Sequence, residues 1–285
     1  MTKKVASTNL FSSAQTVWTP TKKDVERSNL QAFMESQGVS SYDELMERST
    51  DNVAWFTEAV LEFLDIRFQY PYSKILDLSR GIQFPRWCVD GHLNITSNCL
   101  DKWVRDPLHA KCTALICETE SGSSIRLSYA ELAVEINRCS NALRALGFGK
   151  GDRIGLFLPM GREIVVSLLA VMRIGAVALP LFSGFGAGAV RTRLEDADAV
   201  GLITADGQYR RGNPIDMKAT ADEAIADLHL LRHVLVVSIT GLDVAFQAPR
   251  DIRWDDIVPR QPTDCTFEPT SAEDLLMVIY TSGTT

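Results

Sequence analysis

Through the second half of the chain, short apolar runs alternate with stretches of helical spacing. Ile154 to Leu158, 176–182, 199–204 and 233–238 are four runs of strand length, and Leu275 to Tyr280 is a fifth, preceded by Glu273-Asp274. Runs of this length and content suit strands better than helices. Between them the spacing predicts helices over Glu163 to Ile174, about 189–196 and about 222–230. Such alternation predicts an α/β domain with a mainly parallel sheet flanked by helices.

Upstream of these runs, Thr113 to Glu118 and Ile125 to Leu127 read as strands around a Gly122 turn. Ser128-Tyr129-Ala130-Glu131 is a capping box, in which a serine hydroxyl and a glutamate satisfy each other's free amides. The helix behind it carries Leu132, Ile136, Cys139, Leu143 and Leu146 on one face and closes at Gly147. The first hundred residues show no strand alternation. Residues 1 to about 20 lack periodicity and read as a loose arm. Thr21 to Gln37 reads as a helix ended by Gly38, Ser41 to Glu44 as the box of a second, and Asp51 as the cap of a third bearing Phe56, Ala59, Val60, Phe63 and Leu64. Residues 65–91, with Pro71, Gly81, Pro85 and Gly91, read as an extended wrap, and Leu93 to Val104 as helical again. The expected organisation is a helical and extended N-terminal region over 1–107, followed by the α/β domain over 108–285.

Length and composition narrow the class without identifying the chemistry. A chain of 285 residues, 46% apolar and 23% charged, has the make-up of a globular protein with a large core. Its net charge of -7 argues against broad nucleic-acid binding. No apolar run approaches the length of a membrane span. Ser7-Thr8-Asn9 follows the basic start where a signal peptide needs apolar residues, so a cytoplasmic protein is expected. The six cysteines form no Cys-x-x-Cys pair and read as reduced packing residues. His229 and His233 are four apart without an acidic third ligand, which suits packing rather than metal binding, and Asp255-Asp256 read as the start of a short helix.

In a parallel sheet, ligands gather at the carboxyl ends of the strands. Three loops there carry suggestive chemistry. Thr281-Ser282-Gly283-Thr284-Thr285 sets four hydroxyls around one glycine, a natural seat for phosphate oxygens, although an ordinary Ser/Thr-rich turn has the same make-up. No Gly-Lys-Ser/Thr follows, so it is not a Walker loop. Ala205 to Asn213 places Arg210 and Arg211 between two glycines, and guanidinium forks match phosphate oxygens. Ser183 to Gly188 contains Gly184-Phe185-Gly186-Ala187-Gly188-Ala189, a Gly-x-Gly-x-x-Ala fingerprint, with Asp206 lying 22 residues beyond Gly184 where a dinucleotide fold holds the ribose. That reading stays open on spacing, against two facts: such a fingerprint normally lies on the first strand, and the helix behind this one is short and charged.

Several stretches, taken in order, resemble the AMP-forming acyl-CoA synthetases, in particular their acetyl-CoA synthetase branch. They are Asn94 to Asp101 after Trp87, Lys150 to Ile154, Leu158-Pro159-Met160, Ala170 to Ala178, Phe182 to Gly186, Thr204-Ala205-Asp206 and the terminal Tyr280-Thr281-Ser282-Gly283-Thr284-Thr285. The likeness covers almost the whole chain, the helical front resembling that branch's N-terminal extension. It implies an enzyme that joins a short carboxylic acid to coenzyme A with ATP and Mg2+. The terminal loop would hold the β- and γ-phosphates, and Arg210, Arg211, Gly212 and Asn213 would contact coenzyme A, Asn213 standing where these enzymes commonly have another arginine. The resemblance further implies that this is the front of a longer enzyme: the loop's lysine, the acyl pocket, the ribose-binding aspartate and a C-terminal domain with its catalytic lysine are expected beyond Thr285, and the fragment is expected to be inactive alone. A non-catalytic binding or dimerising module and a dinucleotide-binding oxidoreductase domain are the alternatives.

Overall fold

A computed structural model describes residues 17–120 and 122–281. They fall into two compact units divided between Ile66 and Arg67. The first holds α1 (Lys22–Glu26), α2 (Asn29–Ser36), α3 (Tyr42–Asp51) and α4 (Val53–Phe63). Thr21 and Asp24 form a capping box at the start of α1, but the single helix expected to reach Gln37 breaks in two. Ser28 takes an extended backbone and its hydroxyl accepts the Gln31 amide, so it caps a new helix rather than continuing the old one. The cap of α4 is likewise Asn52, whose side chain accepts the Trp55 amide, while Asp51 is the last residue of α3. Phe33, Met34, Val39, Leu45 and Ala59 form a small core, with the Phe33 ring edge-on to Phe56 and Phe63. The predicted apolar face of α4 is therefore inside, apart from Leu64 at the helix end, which is exposed.

The second unit opens with β1 (Lys74–Asp77) and β2 (Arg86–Val89), an antiparallel pair, and β3 (His92–Leu93). These short strands correct the expectation of a strandless first hundred residues. At two to four residues each they are too short to produce an alternating pattern. A π-helical turn at Ser97–Asp101 and α5 (Lys102–Val104) follow. This stretch is bound into the larger unit by buried polar groups. Asn94 Nδ2 donates to the carbonyls of Met172 at 2.9 Å and Glu268 at 2.8 Å, and Arg173 pairs with Asp101 at 3.0 Å. The change in packing at Ile66 thus precedes the change in sequence character near residue 107.

The remaining elements are β4 (Thr113–Glu118), β5 (Ser124–Ser128), α6 (Tyr129–Ala145), β6 (Arg153–Phe157), α7 (Arg162–Arg173), β7 (Val177–Leu181), α8 (Ala187–Asp196), β8 (Gly201–Ala205), β9 (Gly207–Arg210), β10 (Asn213–Asp216), α9 (Met217–Ile225), β11 (His233–Val237), β12 (Asp251–Arg253), α10 (Trp254–Ile257) and β13 (Thr270–Ser271). Five strands make one sheet in the order β12-β11-β8-β6-β7, parallel throughout. From β6 the chain steps one way to β7, then crosses back over β6 to β8 and continues outward to β11 and β12. Right-handed crossovers in opposite directions put helices on opposite faces. The helices accordingly pair as α6 with α7 and α8 with α9, one pair to each face. Covered on both sides, β6, β8 and β11 are buried almost throughout, which explains their unbroken apolar runs. Gly155 in the central strand is required by this packing: a Cβ there would meet Leu194 of α8 at 2.6 Å.

Among the buried charged residues, one lysine has no exposure at all. Lys218 on α9 is fully buried, and its Nζ lies 2.7 Å from Asp222 and 2.8 Å from Asp251, with the Ala245 carbonyl at 3.1 Å. Arg250 binds the same two carboxylates, giving two cations for two anions. The cluster ties α9 to edge strand β12, whose three residues make few ladder bonds of their own. Removing one member of a buried ion cluster leaves its partners uncompensated. Lys218→Met is expected to cost about 3 kcal/mol in urea denaturation at pH 7. A loss under about 1 kcal/mol would mean that Arg250, bridging both carboxylates, holds the joint without the lysine.

Candidate functional site

Because the five strands run in parallel, the loops after β6, β7, β8 and β11 all leave from one edge of the sheet. The strand order reverses between β6 and β8, the position where a crevice opens in doubly wound sheets. Three exposed or half-exposed side chains stand there: Met160 after β6, and Phe182 with Phe185 after β7. The two phenylalanines meet edge to face at 5.5 Å. Gln208 Nε2 donates to the Ser183 carbonyl at 2.9 Å, so two of the three loops singled out in the sequence are in direct contact.

The final apolar run reaches the same edge. Met277 bridges Ala178 of β7 in parallel register, the Ala178 amide donating to Leu276 and the Val278 amide to Ala178. It is an edge segment joined through this one bridge rather than the regular strand expected, with Leu275 66% and Ile279 64% exposed. Met277, Val278 and Tyr280 pack on the core. Two side-chain fastenings hold its ends. Asp274 pairs with Lys150 at 2.7 Å, and although burial raises the Asp274 carboxyl pKa, the lysine and the Ser271 amide leave it below the usual carboxylate value. At the far end the Tyr280 hydroxyl donates to Asp196, and Arg193 lies between the Tyr280 ring, 5.1 Å away, and the Phe185 ring, 4.5 Å away. Burial first, then the Asp196 carboxylate, push the Tyr280 pKa up to about 12. Thr281 follows Tyr280 where β7 itself ends, and Ser282, Gly283, Thr284 and Thr285 lie outside the described residues.

Arg210, Arg211, Gly212 and Asn213 form a hairpin tip rather than an irregular loop. Arg210 at the end of β9 pairs with Asn213 at the start of β10, leaving Arg211 and Gly212 as a two-residue turn with φ of 52° and 77°. Two consecutive positive values define the turn type that fits the twist of a tight hairpin, and glycine meets this demand at the second position without strain. The two arginines are exposed.

Asp206 has a different role from the one its spacing suggests. Its carboxylate is buried and accepts the amides of Gly207, Ile239, Thr240 and Gly241 at 2.6, 2.8, 3.0 and 2.7 Å, with the Ser238 hydroxyl at 3.3 Å. Burial raises its pKa, but the four amides outweigh that and leave it below the usual value. The lone pairs a ribose needs are thus engaged in joining β8 to the loop after β11. The strands also lie wrongly for a dinucleotide fingerprint, since β7 and β8 have β6 between them, which sets them about 10 Å apart. His233 packs edge-on to Phe148, and Asp255 and Asp256 begin α10 as expected.

Spacing does not point to Arg193, Asp196 or Glu120. Each acts through a partner distant in sequence, and Arg193 and Asp196 read only as the charged face of a short helix. Glu120 accepts the amides of Arg211 and Gly212 at 3.2 and 3.0 Å.

The layers and the loops gathered at one edge define a doubly wound α/β ligand-binding domain. The AMP-binding enzyme family model matches residues 105–285, and the acetyl-coenzyme A synthetase N-terminus model matches residues 42–99. The chain therefore belongs to the AMP-binding enzyme family, within which its relatives are acetyl-coenzyme A synthetases. That of Streptomyces coelicolor is 44% identical over 202 residues, 71% of this chain and 31% of the relative. That of Methanothrix thermoacetophila is 34% identical over 261 residues, 92% of this chain and 39% of the relative. Acetoacetyl-CoA synthetase from Streptomyces lividans has the same fold over 94% of this chain and 42% of its own, with a TM-score of 0.84 and 26% identity. The chain spans between about a third and two fifths of the length of these proteins.

The Asp206 junction is expected to be a stability determinant with a definite acid dependence. Asp206→Asn turns an amide donor toward backbone donors and is expected to lower stability at pH 7 by about 2–3 kcal/mol. Because the folded-state pKa lies below the ordinary 3.8, the contribution is fully present above that value and is lost as pH falls beneath it. Denaturation midpoints measured from pH 7 down to pH 2 should show the gap between wild type and variant constant above 3.8 and narrowing beneath it. A gap that does not change with pH would rule out this account of the carboxylate.

Proposed function

We propose that this chain supplies the front part of an AMP-forming ligase that joins a short, acetate-like carboxylic acid to coenzyme A. The acid's carboxylate attacks the α-phosphate of ATP, giving an acyl-adenylate and pyrophosphate. The thiol of coenzyme A then displaces AMP. Thr281, Ser282, Gly283, Thr284 and Thr285 hold the β- and γ-phosphates, whose charge is shared with Mg2+. Arg210, Arg211, Gly212 and Asn213 contact coenzyme A. The single observation that carries this reading is the family match over residues 105–285, which takes in both groups of residues. Two structural features support it. The run before the hydroxyl-rich tip lies parallel to β7 and ends at the ligand edge, and the arginines sit on a rigid exposed turn at the same edge.

The chemistry divides the work. A triphosphate requires positioning and charge neutralisation rather than a covalent partner, which hydroxyls, amides and a cation can provide. Arg193, held between two rings, is a positioning residue in this scheme: it fixes Tyr280 and with it the root of the loop. On this reading the 285 residues alone are expected to carry no complete turnover, an expectation supported by the length of the relatives, of which the chain covers 31% and 39%.

MgATP is expected to raise the melting temperature of the 285-residue chain by about 2 °C at tenfold its Kd, and NADH to leave it unchanged. Acetate-dependent exchange of pyrophosphate into ATP should be absent from this chain and present in a full-length relative such as the acetyl-coenzyme A synthetase of Streptomyces coelicolor. A shift with NADH and none with MgATP would overturn the assignment, as would exchange by the isolated chain for the claim of incompleteness.

A further inference from the structure

The turn between β9 and β10 already holds an anion. Successive amides in a turn of this hand point to one side and make a small concave seat for negative charge. In this chain the amides are those of Arg211 and Gly212, and both donate to the carboxylate of Glu120, at 3.2 and 3.0 Å. Glu120 lies 91 and 92 positions earlier in sequence, at the tip of the β4–β5 hairpin, where Gly122 takes a positive φ of 79°. Two hairpins that share no strand thus meet tip to tip, one offering a carboxylate and the other two amides flanked by the side chains of Arg210 and Arg211. All of these groups are at the surface, so the contact is open to exchange with solutes.

We propose that Glu120 is a resident competitor for this seat, which a phosphate group of the phosphorylated co-substrate displaces when it binds. This rests on the reading of Arg210 to Asn213 as the coenzyme A segment and adds to it a second hairpin and a gate. The chemistry favours exchange over a fixed tie. An exposed carboxylate and a phosphate present similar oxygens to the amides, but a phosphate carries more charge and more acceptor oxygens for the guanidinium forks. In the absence of ligand, Glu120 keeps the turn amides satisfied and the two tips together. With ligand bound, the carboxylate has to leave, since two anions cannot share two amides, and the β4–β5 tip is released with it.

The test uses coenzyme A and dephospho-coenzyme A as probes, titrated calorimetrically against the whole 285-residue chain, its Glu120→Gln and Arg211→Ala variants, and the double variant. Removing one exposed like charge should tighten coenzyme A binding by roughly three- to fivefold in Glu120→Gln. The gain should shrink in high salt and be smaller for whichever probe lacks the phosphate that reaches the turn. Arg211→Ala should weaken binding whether or not Glu120→Gln is also present. Equal or weaker binding by Glu120→Gln would show that the carboxylate supports the turn rather than competing at it, and the proposal would fail. Absence of coenzyme A binding in every variant would also overturn it. The ATP reading is scored separately by the MgATP melting shift, so loss of one is distinguishable from loss of the other. Circular dichroism on each variant excludes misfolding as the cause.

Discussion

Parallel alignment of five strands, with the reversal of direction between β6 and β8, is the constraint on which the rest depends. It sends every strand-to-helix loop out of one edge and forces a crevice where the connections part. It also requires strands covered on both faces, which fixes the unbroken apolar runs and the small residue at Gly155 where α8 approaches. Given that scaffold, chemistry is confined to the edge. Met160, Phe182, the Asp206 junction, the β9–β10 tip and the approach to Thr281 are brought together by topology, although they are spread over more than a hundred residues.

Charges inside this fold serve as joints. Asp206 gathers four amides to bind β8 to the loop after β11, and Lys218 with Arg250 balances Asp222 and Asp251 to hold a three-residue edge strand. Arg173 performs the same task at Thr96, Asp101 and the Cys265 carbonyl, drawing the segment after Arg67 onto the sheet unit. Such groups are expensive to bury and are retained where connections are too irregular for ladder bonds. The Tyr280–Asp196 bond and the Arg193 stack extend the pattern to the surface, where they anchor the last described residues on α8.

Much of this is legible in the sequence, and the reasons are physical. Buried parallel strands leave unbroken apolar runs, so β6, β7, β8 and β11 stand out close to their true bounds, as does α6 behind its capping box. Elements decided by a local choice do not. Ser28 has the option of continuing a helix or capping a new one, and local sequence does not decide between them; in the fold it caps the helix that carries Phe33 into the small core. The strands β1 to β3 have no alternating pattern to detect. Asp206 shows the limit for sites: its distance from Gly184 fits a ribose ligand, but strand order is invisible to spacing, and the carboxylate faces backbone amides. Arg210 to Asn213 are recognisable by residue type, whereas the turn geometry and its carboxylate partner from another hairpin follow only from the three-dimensional arrangement.

A cavity of about 680 Å³ beside the final segment, lined by Lys150, Gly151, Arg153, Gly175, Asp198 and Asp274 and reached by Tyr280, is a second place a ligand could occupy, which makes the central claim testable by location. Hydrogen–deuterium exchange of the chain with and without MgATP is the most direct measurement. The account predicts slowed exchange in the loops after β6 and β7 and from Thr281 onward, with Gly151, Gly175 and Asp198 unchanged. Protection concentrated at those three residues, or spread evenly over the sheet with none at the carboxyl edge, would contradict it.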